Sequence, residues 1–248
     1  MTATDIHLRV KRAQLAASGR DVRMREIRLV RSGEVETLYP GMFSEDFPKP
    51  IVANVIDSCA RDLAESIAPL PALKCSSRTM VTEADRKRAA RKDHIGHSYW
   101  AQSKLATVMF SAADQFLSYG FLPMYAEVDF SRNTPVIRVE NPVGCYYEKT
   151  RFGVVTWFAK VWSERASDLA AKFPEHAAAI QKPTSVWDAA GEDRMVTVVR
   201  YCDANQWVLY LPDCGFHVIS TYPNLHAGTV YSSSLLIGND NQGGLCPL

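Results

Sequence analysis

Apolar residues recur at steps of three and four through the first half of the chain, a spacing typical of amphipathic helices. Residues 4–17 fit a short charged helix. A second helix should begin at Pro50, where the segment FSEDFPKP ends, and stop before Pro69. One face of this helix is expected to be buried, and it consists of Val52, Val55, Ile56, Cys59, Leu63 and Ile67. The residues off that stripe should face solvent: Asp57, Arg61 and Asp62.

A long apolar helix is predicted to run from about residue 97 to Gly120. A capping pattern, Thr82 to Asp85, and a basic turn precede it, and Gly120 is typical of a helix C-terminus. The apolar surface is broad, with Ala101, Leu105, Val108, Ala112, Met109, Ala113 and Phe116. We therefore expect a central, well-buried helix.

The hydrophobic period changes to two at Phe121, which predicts strands. The segments with this pattern are FLPMYAEVDF, TPVIRVENP, GVVTWFAKVW, MVTVVRYCD, QWVLYLP and GFHVIST. Alternation fails within 153–162, so a bulge or burial on both faces is expected there. A short helix from Ser167 to Pro174, with a further turn to Ile180, interrupts the strands, and 181–193 reads as a surface loop. Helices followed by meandering strands predict an α+β fold with a largely antiparallel sheet.

Composition places the chain among ordinary folded proteins. Of its 248 residues, 47% are hydrophobic and 22% are charged, and the formal net charge is +1. A charge so close to zero gives no global attraction to nucleic acid or to anionic membranes. Charges interrupt every apolar run near the N-terminus, and no uninterrupted apolar run is long enough to span a membrane, so synthesis in the cytoplasm is expected. The six cysteines are widely spaced, which favours reduced and mostly buried thiols.

Two basic segments are the local candidates for binding an acidic partner. Five arginines lie within 20–31, as either a basic strand edge or an arm: Arg20, Arg23, Arg25, Arg28 and Arg31. The second segment, Arg86 to Lys92, lacks interleaved aromatic residues, so it suits phosphate contact rather than base stacking. For both segments the competing interpretation is a solvated surface.

No catalytic motif is present, and three sets of residues are candidate sites. Cys202, Cys214 and His217 contain one close pair, whereas a closed zinc site usually has two. His94 and His97 lie one helical turn apart, with Asp93 as a possible neighbour. A cysteine nucleophile with a histidine base stays open, because such partners meet in space rather than in sequence. We predict no catalytic, cofactor-binding or metal-binding residues, and no enzymatic activity.

Five segments occur in an order that resembles the portal proteins of tailed bacteriophages, specifically those that infect actinobacteria. They look like that family's early helix, its long helix running into a strand, a hairpin, a short inserted helix and a strand pair. The resemblance covers roughly residues 20–215. The segments are FPKPIVANVIDSCARDLAESI, SKLATVMFSAADQFLSYGFLPMYAEVD, TPVIRVENPVGCYYEKTRFGVVTWFAKVW, SDLAAKFPE and VTVVRYCDANQWVLYLPD.

The resemblance implies a structural virion protein that works by assembly. Portal subunits form a ring, typically a homododecamer, at one capsid vertex, and viral DNA is packaged and ejected through it. The implied partners are the major capsid protein, the terminase, a head–tail connector or adaptor protein, and double-stranded DNA in the channel. The expected location is the portal vertex of the virion, after assembly in the host cytoplasm. The family has no active-site motif in this region, so no catalytic residue carries over.

Within that family the chain is similar to the wing, the α/β body that packs against neighbouring subunits. Residues 1–42 are then expected to be a basic N-terminal arm and 43–248 the wing-like domain. Family members are longer, and their stem, clip and crown are not evident here. The aromatic residues of 140–162 should serve the core or an interface, and they are Tyr146, Tyr147, Trp157, Phe158 and Trp162. Two alternatives stay open: another phage head or connector protein, and a cytoplasmic enzyme with a Cys/His site.

Overall fold

The computed structural model describes residues 1–38, 55–69, 74–76, 82–129, 134–151, 155–182, 194–224 and 233–236. The chain forms two compact units. Unit 1 comprises Met1–Val22 with Val143–Val230, and unit 2 comprises Arg23–Pro142 with Tyr231–Leu248. The predicted boundary between residues 42 and 43 lies outside the described residues, as does the predicted surface loop from residue 183 to 193. Residues 1–22, predicted as part of the arm, are grouped with the sheet of unit 1.

Helices dominate the first half and antiparallel strands the second, which confirms the predicted α+β class. The helices are α1 (Ala3–Ala16), α2 (Ser18–Ser32), α3 (Val35–Leu38), α4 (Val55–Ile67), α5 (Glu83–Gln102), α6 (Leu105–Tyr119), α7 (Ala166–Lys172) and α8 (Ala177–Ile180). The strands are β1 (Phe121–Asp129), β2 (Thr134–Val139), β3 (Cys145–Lys149), β4 (Val155–Arg165), β5 (Met195–Asp203), β6 (Gln206–Leu211), β7 (His217–Pro223) and β8 (Ser233–Leu236).

Unit 1 has three layers around the antiparallel sheet β3-β4-β5-β6-β7. Strand β5 shows why: Val199 and Tyr201 pack with α1, while Val196 and Val198 pack with α7 and α8 on the other face. Both faces of the central strands are therefore apolar, as expected for a covered sheet. This burial on two sides explains the failed alternation in β4. A register irregularity between Glu148 and the next residue in the β3–β4 pairing adds the predicted bulge.

Local sequence chemistry sets the boundaries of several elements. The hydroxyl of Thr82 accepts from the backbone N–H of Asp85 at the start of α5, as the capping pattern predicted. Gly120 ends α6 in the left-handed conformation (φ 63°), which glycine adopts without a Cβ penalty. Asp203 turns the β5–β6 hairpin, because its Oδ1 accepts from the backbone N–H groups of Asn205 and Gln206 at 2.8 and 2.9 Å.

Two predictions about the helices were wrong. The arginine segment 20–31 is not a strand edge, because it lies in α2. The long apolar helix is instead two helices with a break at Ser103 and Lys104, the latter at φ 49°. Ser103 explains the break: its hydroxyl donates to the carbonyl oxygen of Tyr99 and accepts from the backbone N–H of Ile137 in β2. The helix therefore ends where its last turn is hydrogen-bonded to a strand.

The burial predicted for α4 was also wrong. Its buried line is Ala60 and Ala64, both 0% exposed, and the helix packs against α6. Four of the predicted core residues are 47–62% exposed instead, namely Val55, Ile56, Leu63 and Ile67, and Cys59 is exposed as well. Asp57, predicted to face solvent, is drawn inward by an ion pair with Arg31. The predicted helix start at Pro50 and the stripe residue Val52 lie outside the described residues.

Candidate functional site

The aromatic residues of β3 and β4 form core rather than an open surface. Tyr146, Tyr147, Trp157 and Phe158 are at most 6% exposed, and Trp162 is partly buried. Glu148 binds this layer: its Oε2 accepts from the indole Nε1–H of Trp157 at 2.6 Å. Tyr146 and Trp157 pack with Ile6 and Val10 of α1, and the burial of all five aromatic side chains leaves little aromatic area for a partner.

The sequence-proposed zinc residues are not brought together. Among the described residues, no three histidine, cysteine, aspartate or glutamate side chains are grouped so as to hold a metal ion. Burial and the nearby Asp203 raise the pKa of the buried Cys202 thiol to about 12. Burial also raises the pKa of Cys214. Both thiols are protonated at neutral pH, which makes them poor ligands and poor nucleophiles.

The histidine of that proposed set has a different partner. Nε2 of His217 lies 3.0 Å from Nδ1 of His176, and the two rings meet edge to face. The other histidine pair, His94 and His97, is exposed on α5. Asp93, its proposed neighbour, accepts a hydrogen bond from the backbone N–H of Cys75 at 2.7 Å. In the described ranges, neither pair is joined by a third ligand.

The two outer arginines of the α2 segment are structural. Arg20 is 5% exposed and donates to the carbonyl oxygen of Cys145 at 2.8 Å and to Asp21 at 2.9 Å. The other carboxylate oxygen of Asp21 accepts from the hydroxyl of Tyr146 at 2.7 Å. Burial, with that carboxylate second, raises the pKa of Tyr146. This network ties the start of α2 to β3.

Arg31 holds the helices of unit 2 together. Its guanidinium lies 2.7 Å from both Asp57 on α4 and Asp114 on α6, and it also donates to the hydroxyl of Ser118. Burial opposes the charge, but the hydrogen bonds that Arg31 donates to the two carboxylates raise its pKa overall. Arg31 therefore bridges two inward-facing carboxylates, and Arg61 on α4 adds a second cation beside Asp57 at 2.9 Å.

The middle of α2 and the basic segment of α5 carry exposed basic side chains. Arg25 and Arg28 are exposed on α2. On α5, every basic residue of the segment 86–92 is exposed, and Lys87 pairs with Glu83 at 2.9 Å. Such exposed pairs contribute little to stability, so these side chains are available to an acidic partner. A nucleic-acid role for the segment stays a prediction.

Three exposed apolar side chains of α4 form a surface, here called the α4 face: Ile56, Leu63 and Ile67. At about 100° per residue, all three lie within about 60° of Ala60 on the helical wheel, so they flank the buried line on one side. Contiguous exposed apolar area on a helix often marks a surface that binds another protein. No described helix is long and apolar enough to cross a membrane.

A cavity of about 180 Å³ lies in unit 1 between α1 and the sheet. His7, Lys11 and Gln14 of α1 line one side of it, and Val199 of β5 and Phe216 line the other. The His7 ring contacts Phe216 with centroids 5.2 Å apart. Burial and then the positive charge of Lys11 lower the pKa of His7, so its imidazole is neutral at pH 7.

Sequence reasoning missed this cavity. His7 and Lys11 lie one turn apart on α1, but nothing in the sequence shows that they meet residues some 200 positions later. The structural sign of the site is the Cys214-Gly215-Phe216 turn, where Phe216 has φ 60°, an angle that the sequence does not reveal. A left-handed non-glycine residue costs about 1–2 kcal/mol, and such strain clusters at functional sites.

In comparisons with known proteins, no protein-family model and no curated protein matches the chain.

Proposed function

We propose that this chain is the wing portion of a portal-type virion protein, a structural subunit that forms a ring at a capsid vertex through which DNA passes. The protein acts by assembly, and it has no catalytic role. Its partners are further copies of itself, the major capsid protein, the terminase and a head–tail connector. The alternative within the same class is another phage head or connector protein.

The order of elements is the observation that carries this proposal. The segments that resemble the portal family fold, in sequence, as α4, as α6 continuing into β1, as β2 to β4, as α7, and as the β5–β6 hairpin. Four of the five segments follow the series that the resemblance implies: helix, helix into strand, inserted helix and strand pair. The third departs from it, because β2 pairs with β1 in unit 2 and only β3 and β4 form a hairpin, in unit 1. Since each segment alone is a common motif, the argument depends on their order and spacing.

The α4 face supports assembly as the mode of action. Ile56 and Leu63 are 53% and 48% exposed on a helix that is otherwise well packed through its alanines. Interfaces of obligate oligomers are more apolar than the remaining surface, so a ring subunit should expose such a stripe before assembly. The exposed Arg25 and Arg28 can add contacts to carboxylates of a neighbouring subunit.

Native mass spectrometry and negative-stain electron microscopy of the protein from its natural source test the proposal. The intact mass comes first: a mass well above 27.7 kDa supports a longer portal polypeptide, and a mass of 27.7 kDa leaves no room for stem and crown. Closed rings are the expected particles. A protein that stays monomeric at every concentration contradicts the assembly function.

Two double variants locate the interface. Ile56→Asp with Leu63→Asp should prevent ring formation, because burying two carboxylates in an apolar contact is strongly unfavourable. Leu8→Asp with Leu15→Asp is the matched control, since both leucines are exposed on a helix of unit 1. Rings that survive the first pair would remove the α4 face from the interface but leave the ring itself intact.

Two further sets of variants test the arginine contacts between subunits and the enzyme alternative. Arg25→Glu with Arg28→Glu should weaken the rings, and unchanged assembly would count against these arginines. Alanine at each cysteine in turn should leave assembly unchanged. Loss of a measurable catalytic activity in one cysteine variant would favour the enzyme alternative instead.

A further inference from the structure

The cavity between α1 and the sheet of unit 1 combines an apolar floor with hydrogen-bond donors on one side. Val10, Val161 and Val199 supply apolar lining, and His7, Lys11 and Gln14 supply polar groups. We propose that it is a binding site for a small carboxylate on an apolar body about the size of a benzene ring. The inference is independent of the portal proposal, because it concerns a pocket inside one unit of a single chain.

The hydrogen bonding of His7 makes it a donor in this site. Its Nδ1 lies 3.4 Å from the hydroxyl of Tyr210, a residue that is 0% exposed. We assign the tautomer in which this hydroxyl donates to Nδ1, which places the single proton of the neutral imidazole on Nε2. Nε2–H is left to donate to a ligand, and the low pKa of His7 keeps the ring in this neutral form.

Two charged side chains border the site: a lysine that is exposed to solvent and an aspartate that accepts a backbone hydrogen bond. Lys11 is exposed at the rim, where its ammonium can bind an anion. The carboxylate of Asp213 also lines the cavity, but its Oδ2 accepts the backbone N–H of Thr197 at 2.8 Å. Together with the donor Nε2–H of His7, Lys11 gives the site two groups that favour an anion, whereas the amide of Gln14 is already hydrogen-bonded to the hydroxyl of Tyr146. Asp213 opposes binding in part.

Size and rigidity restrict the ligand further. A cavity of about 150 Å³ with apolar walls accommodates benzene, so about 180 Å³ accommodates one ring or a branched aliphatic group. The floor is formed by β4 and β5, which are paired along their length and covered on the other face. Phe216 closes one end at φ 60°, a backbone conformation held by the preceding turn and by the contact with His7. The site is therefore largely formed before any ligand arrives, as small-molecule sites usually are.

Ligand-observed NMR titration of the whole chain with three matched probes tests the assignment: sodium benzoate, benzyl alcohol and benzylamine. We expect benzoate to bind most tightly and benzylamine least. Lys11→Gln should weaken benzoate binding by about fivefold, the upper range for a solvent-exposed ion pair. Asp213→Asn should strengthen it, because the amide keeps an acceptor for Thr197 and removes the opposing charge.

The controls separate binding in the cavity from binding elsewhere. Lys182→Gln removes an exposed cation of unit 1 that does not line the cavity, and it should leave benzoate binding unchanged. His7→Phe keeps an aromatic ring and removes the donor, so benzoate should lose its advantage over benzyl alcohol. Circular dichroism of each variant checks that unit 1 is folded. Tightest binding of benzylamine, no binding of benzoate, or equal effects of the two lysine variants would each overturn the proposal.

Discussion

Replacing Gly144 with alanine should destabilise unit 1 by more than a backbone penalty alone. Gly144 lies just before β3 with φ 75°, a region that residues with a Cβ rarely adopt. A Cβ built there would be 2.2 Å from the carbonyl oxygen of Val161 on the neighbouring strand. The carbonyl oxygen of Gly144 also accepts from the backbone N–H of Val161 at 2.8 Å. The added methyl group therefore strains the backbone and pushes apart a hydrogen-bonded pair.

The expected cost is the sum of two effects. A left-handed conformation costs a residue with a Cβ about 1–2 kcal/mol. Separating the strands weakens a buried backbone hydrogen bond, worth about 0.5–1.5 kcal/mol. The free energy of unfolding should thus fall by about 1.5–3.5 kcal/mol. At about 2–4 °C per kcal/mol for a chain of this size, the melting temperature should fall by roughly 3–14 °C.

Urea unfolding followed by tryptophan fluorescence measures this change, because Trp157, Trp162 and Trp207 all lie in unit 1. Gly215→Ala is the matched control. Gly215 has a similar φ of 67°, but no atom lies within 4 Å of the position its Cβ would take. It should therefore show the backbone penalty alone, about 1–2 kcal/mol. Equal destabilisation by the two alanines would refute the close approach of β4 to the turn before β3.

Two further predictions concern charged groups. Arg31→Met should destabilise unit 2 by about 2–4 kcal/mol, because Asp114 loses its cation in a largely buried setting and Asp57 keeps only Arg61. Arg61→Met removes a side chain that is 65% exposed and leaves Arg31 beside the same Asp57, so it should cost at most about 0.5 kcal/mol; thermal unfolding of both variants decides. Burial opposes the charge of Glu164, but hydrogen bonds from Lys172 and from the indole of a neighbouring tryptophan lower its pKa overall. A lowered pKa contributes stability above the unfolded-state value and loses it as pH falls through the folded-state value. The stability difference between wild type and Glu164→Gln should therefore be largest above about pH 5 and shrink below pH 4, and a constant difference across that range would contradict the charge interaction.

Local pattern predicted most elements because neighbours in sequence determine them. The caps at Thr82 and Gly120 depend on side chains and backbone angles within one turn. The hairpin at Asp203 depends on one carboxylate and the next three residues. The short inserted helix ended at Pro174 as predicted, since proline lacks the N–H that continues a helix. These features need no knowledge of what packs against them.

Burial was predicted less well, because it depends on partners far away in the chain. The α4 stripe has the right periodicity for a core, yet the residues that cover the helix meet its alanines and leave Ile56 and Leu63 outside. Helix α2 was missed because Ile27 and Leu29, which lie two residues apart, also fit an alternating strand, although Val30 next to them does not. A hydrophobic period shows that a face exists; it does not show whether this chain or another molecule covers it.

By itself the sequence determined the α+β class, most of the helices and strands, and several of the turns that join them, since these follow from interactions over a few residues. Only the tertiary structure decided which charges are enclosed and which surfaces stay open. Arg20 and Arg31 have the same sequence context as Arg25 and Arg28, but the first two bind groups inside the units while the others stay exposed. The cavity at His7 likewise exists because α1 packs on strands from the far end of the chain. Contacts across such separations depend on the whole fold, which no local pattern encodes.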